Sequence, residues 1–201
     1  MPPGPRILSG DVLDAAVELM GRSGRLGTVR VRGASMEPTL HERDVVAVDF
    51  AAGRPLRGDL LLFRQDELLI VHRFLGRGRR RGRPPYYRAR GDGRIRLDPP
   101  VAPERVVGRV VALDDGSGWR SLRGAAARVY ARLLAWHDLG WAAVGVAARA
   151  TERALAGIGV HVHLEARAMR IDRWLLHAAH RALFARVHAR IAPPSPGPPR
   201  P

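Results

Sequence analysis

Apolar residues in the first half of the chain fall into short runs that glycine and proline separate. Six of these runs are rich in Val, Leu and Ile and predict β-strands, at 28–32, 44–50, 59–64, 68–75, 86–89 and 105–113. Short strands at this spacing, with few helical segments between them, are typical of a compact, coiled antiparallel β-sheet. We therefore expect a mainly β domain over residues 28–121.

The pattern changes near residue 120, where apolar positions begin to recur with the period of a helix. This spacing predicts two helical stretches, which the glycines around 157–159 separate. Near the start of the chain, Ser9 could cap a short amphipathic helix over 11–22. The sequence therefore predicts four parts, namely an N-terminal loop and helix (1–27), the β domain (28–121), a C-terminal α-helical extension (122–191) and a disordered Pro-rich tail (192–201).

None of the helical patterns predicts a membrane-spanning segment. The N-terminal helix would carry Asp11, Asp14 and Glu18, and the longest uncharged run, 139–148, covers about half the length needed to cross a bilayer. The first residues also lack the basic start and continuous apolar stretch of a secretory signal. We expect a cytoplasmic or peripherally membrane-associated protein.

The charge of the chain raises a nucleic-acid hypothesis that the rest of the composition weakens. With 34 basic residues against 19 acidic ones, the net charge is +15, and clustered arginines can neutralise phosphates. The basic residues are spread along the chain, however, and aromatic residues make up only 5% of it. We expect no specific nucleic-acid partner, whereas peripheral contact with an anionic membrane could follow from the charge. Cysteine is absent, which excludes disulfides and thiol chemistry.

A serine turn between the first two predicted strands carries the strongest chemical signal. Residues 33–40 read Gly-Ala-Ser-Met-Glu-Pro-Thr-Leu. A serine hydroxyl is nearly inert at neutral pH, so a hydrolase must hold it on a constrained turn beside a group that takes its proton. Gly33 leaves room beside Ser35, Pro38 restrains the backbone, and Met36 offers an apolar anchor. Ser35 is therefore the candidate nucleophile.

This motif resembles that of the signal peptidase I family, whose nucleophile lies in a stretch of the form Gly/Ser-x-Ser-Met-x-Pro-Thr-Leu. Further motifs follow in the order found in that family: Arg-Gly-Asp-Leu at 57–60, Ile-Val-His-Arg at 70–73, Arg-Gly-Asp at 90–92 and Val-Val-Gly-Arg-Val at 106–110. The resemblance implies a serine endopeptidase on a β-rich peptidase fold. It also implies a relationship to the peptidase domain of the self-cleaving repressors of the DNA-damage response.

Lysine, the base of the typical bacterial enzymes and of those repressors, does not occur in this chain. All 34 basic residues are arginine, and an arginine does not give up its proton usefully in a protein. One branch of the family, found in the eukaryotic secretory membrane, in archaea and in some Gram-positive bacteria, has histidine at the lysine position. The resemblance places His72 there, and a neutral imidazole can accept the serine proton near pH 7.

A histidine base calls for a third group that fixes its tautomer. Asp92 and Asp98 compete for this role. In the histidine branch the loop also carries two acids at this separation and the later one is assigned to the triad, which by resemblance favours Asp98. The backbone N–H of Ser35 would stabilise the oxyanion, and Gly33 stands where lysine-type enzymes often have an additional hydroxyl donor.

The resulting hypothesis is a serine endopeptidase that cleaves a leader or signal segment after small residues. Its substrate would be an extended peptide or preprotein bound as an added strand. A rival hypothesis keeps the fold for a non-catalytic regulatory or peptide-binding protein, and another is a basic nucleic-acid-binding module. No cofactor is expected. The histidine pairs at 161 and 163 and at 177 and 180 could suggest a metal, but carboxylates at ligand spacing are missing, so they are interpreted as surface helix residues.

Overall fold

The computed structural model describes residues 26–66, 68–94, 96–158 and 160–194. The predicted helix over 11–22 and the part of the Pro-rich tail beyond residue 194 lie outside the described residues, so both stay predictions. Within the described part, the chain forms seven strands, a short 3-10 turn and two long helices.

Each of the six predicted strands is present. In chain order they are β1 (Leu26–Arg30), β2 (Val45–Asp49), β3 (Leu60–Gln65), β4 (Leu68–Gly78), β5 (Tyr86–Arg90) and β6 (Val106–Asp114). A seventh strand, β7 (Trp119–Ser121), escapes prediction because three residues are too few to show an alternating pattern.

All seven strands join in one antiparallel sheet with the order β1-β2-β6-β3-β4-β5, and β7 pairs with β6. Strands β1 and β5 lie at the two ends of this order. The mainly β fold expected from the sequence is thus confirmed, together with its C-terminal helical region.

Strand β3 shows why an apolar run in this sequence can be continuous and not alternating. Leu60 and Leu62 belong to one buried cluster, whereas Leu61 and Phe63 belong to another. All four side chains are at most 4% exposed. Because successive side chains of a strand point to opposite faces, a strand buried on both faces needs no alternating polar residues.

Two helices follow the sheet, α1 (Ala125–Ala156) and α2 (Leu164–Val187). In the described residues, neither helix contains a stretch long and apolar enough to cross a membrane. Their amphipathic patterns instead place one face of each helix against the β domain.

The helices share a core with the sheet. Tyr130 and Leu134 of α1, together with Leu176 and Phe184 of α2, belong to the same buried cluster as Met36 of the serine turn. The helical region is therefore packed directly against the elements that carry the candidate site.

The two halves of β4 have different neighbours. Residues 68–72 pair only with β3 among the described strands, whereas the half that begins at Arg73 also pairs with β5. Among the described residues, the first half of β4 consequently has a free backbone edge, and edge strand β1 has another on the side away from β2. Both free edges adjoin the groove described below.

Candidate active site

Ser35, His72 and Asp98 form one hydrogen-bonded chain. Ser35 lies on the turn that follows β1, His72 lies within β4, and Asp98 lies in the loop after β5. Ser35 Oγ is 3.1 Å from His72 Nε2, and His72 Nδ1 is 2.6 Å from Asp98 Oδ2. The structure therefore brings together three of the predicted site residues from separate segments of the chain.

The hydrogen bonds from Ser35 through His72 to Asp98 have fixed donor and acceptor roles. An ionised Asp98 carboxylate can only accept a hydrogen bond, so Nδ1 of His72 carries the proton and donates it. Nε2 then has a lone pair available, to which the Ser35 hydroxyl donates. His72 is 3% exposed, and Phe63 packs edge-on against its ring with the centroids 6.1 Å apart. Burial and Asp98 together hold the imidazole in the orientation that a general base requires.

The serine turn is shaped by Gly33, Met36 and Pro38. Gly33 has a φ of 77°, in the left-handed region that favours glycine. Met36 is 2% exposed and anchors the turn in the core, and its carbonyl accepts a hydrogen bond from the N–H of Leu40 at 3.0 Å. Pro38 is buried and follows a cis peptide bond. The turn is therefore attached to the protein interior on the side away from solvent.

Two glycines allow the loop after β5 to lie directly against the serine turn. Gly93 N–H donates to the carbonyl of Ser35 at 2.9 Å. A β-carbon at Gly91 would lie 2.4 Å from that same carbonyl oxygen and 2.9 Å from His72 Nε2, which is closer than real β-carbons approach. Sequence reasoning finds Gly91 only as part of the Arg-Gly-Asp motif, because the contact joins segments far apart in the chain.

Asp92, the other candidate for the third group, belongs to a different network. Its carboxylate accepts hydrogen bonds from Arg73 Nε at 2.8 Å, from Arg73 Nη2 at 2.5 Å and from the Thr39 hydroxyl at 2.5 Å. Burial acts to lower the pKa of Arg73, but the Asp92 carboxylate outweighs it and raises the pKa above its usual value. Because neighbouring residues of a strand point to opposite faces, His72 faces Ser35 while Arg73 faces Asp92.

A second buried pair extends this network into helix α1. Asp138 Oδ1 accepts a hydrogen bond from Arg90 Nη2 at 2.9 Å, and Asp138 Oδ2 lies 3.8 Å from Arg73 Nε. Burial raises the pKa of Asp138 and the Asp92 carboxylate adds to this effect, whereas His137 and the two guanidiniums oppose it. We refer to Arg73, Arg90, Asp92 and Asp138 as the buried ion cluster.

The buried ion cluster adjoins the candidate site in sequence but lies on the opposite face of β4. Arg73 directly follows His72, and Arg90 directly precedes Gly91. Sequence reasoning does not find Asp138, because one acid within a helical pattern gives no sign of a partner in a distant strand. Through Asp138, helix α1 is attached to both strands that flank the site.

A groove of about 660 Å³ opens beside Ser35 and His72. Its walls come from residues 29–33 at the end of β1, from residues 68–72 of β4 and from the loop that carries Asp98. Val29, Val31 and Leu69 line its apolar floor, where they pack against the main core cluster. We call this space the serine groove.

The serine turn also contains backbone N–H groups with no partner in the described part of the chain. The N–H groups of Ser35 and Met36 donate to no acceptor among the described residues. Main-chain donors of this kind are what oxyanion stabilisation needs beside a serine nucleophile. Nucleophile, base, orienting carboxylate and backbone donors therefore lie together in the lining of the serine groove.

The histidines outside this site have other environments. His161 and His163 are exposed, as expected, but His180 is not the surface residue that the sequence predicts. It stacks on Phe184 with ring centroids 4.2 Å apart, and burial lowers its pKa to about 4. Among the described residues, no group of three or more His, Asp or Glu side chains is arranged to hold a metal ion.

Comparison with known protein families gives one match. Residues 7–81 match the family model described as Peptidase S24-like, and this segment contains Ser35 and His72 but ends before Asp98. Searches of curated proteins and of solved structures found nothing that matches the chain. The match supports a serine-type peptidase relationship at a coarse level and does not single out signal peptidase I.

Proposed function

We propose that this protein is a serine endopeptidase that uses Ser35, His72 and Asp98. The observation that carries the proposal is the hydrogen-bonded chain from Ser35 Oγ through both ring nitrogens of His72 to Asp98, with distances of 3.1 and 2.6 Å. Ser35, His72 and Asp98 all line the serine groove, which has a volume of about 660 Å³. The Peptidase S24-like match supports the same class of chemistry.

The proposed reaction begins when Ser35 Oγ attacks the carbonyl carbon of the scissile bond and its proton passes to His72 Nε2. Asp98 accepts the hydrogen bond from Nδ1 and stabilises the imidazolium. The backbone N–H groups of the serine turn donate to the oxyanion. As the carbon–nitrogen bond breaks, Nε2 returns the proton to the leaving amine. Water, with His72 again as the base, then hydrolyses the acyl-enzyme and releases Ser35.

The proposed substrate is a peptide in extended conformation. Within the described ranges, residues 29–32 and residues 68–71 present two free backbone edges to the serine groove, and either can pair with the backbone of an added strand. The resemblance to signal peptidase I adds the expectation that cleavage follows small residues in a leader or signal segment.

The test is cleavage of a peptide library by the wild type and by the Ser35→Ala and His72→Gln variants, with products identified by mass spectrometry. We expect each substitution to lower the rate by roughly a thousandfold or more, because each removes a group that takes part in the bond-making step. Ser117→Ala and His161→Gln, both at exposed positions, are the matched controls. Cleavage that persists in both site variants would show that the proposed site is wrong.

A regulatory peptide-binding role on the same fold is the second candidate. The Peptidase S24-like match is compatible with it, because the match does not reach Asp98 and does not by itself support signal-peptide processing. This role predicts that wild type and Ser35→Ala bind the same peptides equally well and that wild type leaves them intact. The two candidates therefore give different product spectra in the same experiment.

A further inference from the structure

Four arginines line the serine groove. Arg30 and Arg32 lie on one wall, at the end of β1, and Arg94 and Arg96 lie on the other, in the loop that leads to Asp98. Arg96 forms an ion pair with Glu165 of α2. Within the described part of the chain, Arg30, Arg32 and Arg94 have no carboxylate at ion-pairing distance.

Exposed arginine alone would indicate nothing in a chain with a net charge of +15. The groove differs because its arginines lie on both walls of a concave site that also holds Ser35 and His72. Outside it, Arg109 and Arg123 are paired with aspartates, whereas Arg128 and Arg132 have no ion pair among the described residues but lie on the exposed face of a helix and not in a cleft. Asp98 is the one carboxylate among the described lining residues, and it is already hydrogen-bonded to His72. The serine groove is therefore complementary to a negatively charged occupant.

The alternation of β1 separates these charges from the apolar floor. Val29 and Val31 pack against the core, whereas Arg30 and Arg32 are exposed. A peptide that pairs with this edge also points its side chains alternately to the two faces. Side chains on one face of that peptide meet the valines, and those on the other face lie beside Arg30 and Arg32.

A peptide fits this groove better than a nucleic acid does. The two free strand edges offer N–H and C=O groups that pair with a peptide backbone. Single-stranded nucleic acids are held mainly by stacking on aromatic side chains, and no Phe, Tyr or Trp is among the described residues that line the groove.

We propose that the substrates of the serine groove are acidic peptides, with Asp or Glu at two positions separated by one residue. These side chains lie on the strand face opposite to the residues that cover the apolar floor. The inference rests on the proposed function for the location of the scissile bond, whereas the charge of the bound peptide follows from the groove itself.

The kinetic test compares peptides that share one cleavable core and differ only in carrying Glu-x-Glu or Gln-x-Gln. We expect each glutamate to raise kcat/KM by about two- to fivefold, as opposite charges across paired strands do. The preference should disappear in Arg30→Gln/Arg32→Gln. It should remain in Arg128→Gln/Arg132→Gln, which removes two exposed charges from α1. Equal rates for the two peptides in wild type would overturn the proposal.

A binding test separates this proposal from the proposed function. Fluorescence anisotropy with Ser35→Ala should show tighter binding of the Glu-x-Glu peptide, with a difference that shrinks as salt is added. If wild type cleaves neither peptide but this binding preference is found, the catalytic proposal fails and the acidic-peptide proposal stands. If a single-stranded oligonucleotide displaces the acidic peptide and binds more tightly through Arg30 and Arg32, the occupant is a nucleic acid and the proposal is wrong.

Discussion

His72 and Arg73 are neighbours in β4, yet the polar groups they belong to are built in opposite ways. His72 connects Ser35 with Asp98 in the lining of an open groove. Arg73 belongs to the buried ion cluster, which helix α1 completes through Asp138. The alternation of a single strand thus separates a ring nitrogen that accepts a hydrogen bond from Ser35 from a cluster in which the charges balance.

The difference shows that the surroundings of an aspartate decide what it can do. Asp98 orients a ring whose other nitrogen faces a hydroxyl, so its effect is passed to an atom that can react. Asp92 neutralises a guanidinium that is 2% exposed, so its effect is to keep a buried cation in place. We therefore expect changes on the His72 side to affect rate and changes on the Arg73 side to affect stability.

The largest expected effect comes from replacing the two aspartates separately. Asp98→Asn should lower kcat by about 10⁴-fold, because an amide favours the wrong tautomer of His72, and should leave stability nearly unchanged. Asp92→Asn should instead lower the free energy of unfolding by about 1–3 kcal/mol, since it removes a charge from a buried pair. Peptide hydrolysis and urea unfolding of both variants check this. The comparison breaks down if folded Asp92→Asn loses as much kcat as Asp98→Asn.

Removal of the Asp138 carboxylate tests the buried ion cluster on the Arg73 side of β4. Asp138→Ala should lower the free energy of unfolding by about 3–5 kcal/mol, because the buried guanidinium of Arg90 loses the carboxylate that neutralises it. The exposed Arg132→Ala on the same helix should change it by less than about 0.5 kcal/mol. The double variant Arg90→Met/Asp138→Leu should recover much of the loss. An Asp138→Ala protein as stable as wild type would show that the cluster does not hold α1 in place.

Gly91 lies between the His72 site and the buried ion cluster, so its replacement should affect both rate and stability. In Gly91→Ala the new β-carbon would overlap the Ser35 carbonyl and the His72 ring. We expect kcat to fall about 10²-fold and the free energy of unfolding to fall by about 1–3 kcal/mol. The control is Gly53→Ala, whose β-carbon meets no atom within 4 Å. Unchanged kcat in Gly91→Ala would show that the loop is not tightly apposed to the serine turn.

The smallest expected effect is a pH dependence of stability that comes from His180 of α2. Burial, and next the charge of His41, lower the pKa of His180 to about 4 from its ordinary value of 6.5, although Asp92 opposes this. The folded state therefore holds His180 neutral, and the unfolded state takes up a proton first. Its contribution to stability is fully present above about pH 6.5 and is lost as the pH falls toward about 4. We expect this loss to be roughly 1–2 kcal/mol.

Urea unfolding at several pH values measures the effect of His180. The slope between pH 6.5 and 4 should be flatter in His180→Phe, which keeps the stacking on Phe184 without a titratable ring. His161→Gln, at an exposed position, should leave the slope unchanged. An identical slope in wild type and His180→Phe would show that His180 does not control this pH dependence.

Local order along the chain is sufficient to predict most of the sheet. The six longer strands appear where apolar runs lie between glycine and proline, because that pattern depends on neighbours in sequence. The positive φ of Gly33 and the buried Met36 are also local properties of the serine turn. Strand β7 is not predicted because three residues show no alternating pattern, and the stack of His180 on Phe184 is not predicted because helical spacing alone does not show which face of the helix is buried.

Residue order thus accounts for the strands, for the constrained serine turn and for histidine as the available base where lysine is missing. It does not settle which aspartate meets His72, why Gly91 must be glycine, or that Asp138 of α1 is attached behind the site. Those outcomes depend on the register between β3, β4 and β5 and on the docking of α1. A side chain's partner is set by distances in space, and residues widely separated in the chain acquire those distances when the sheet and helices pack.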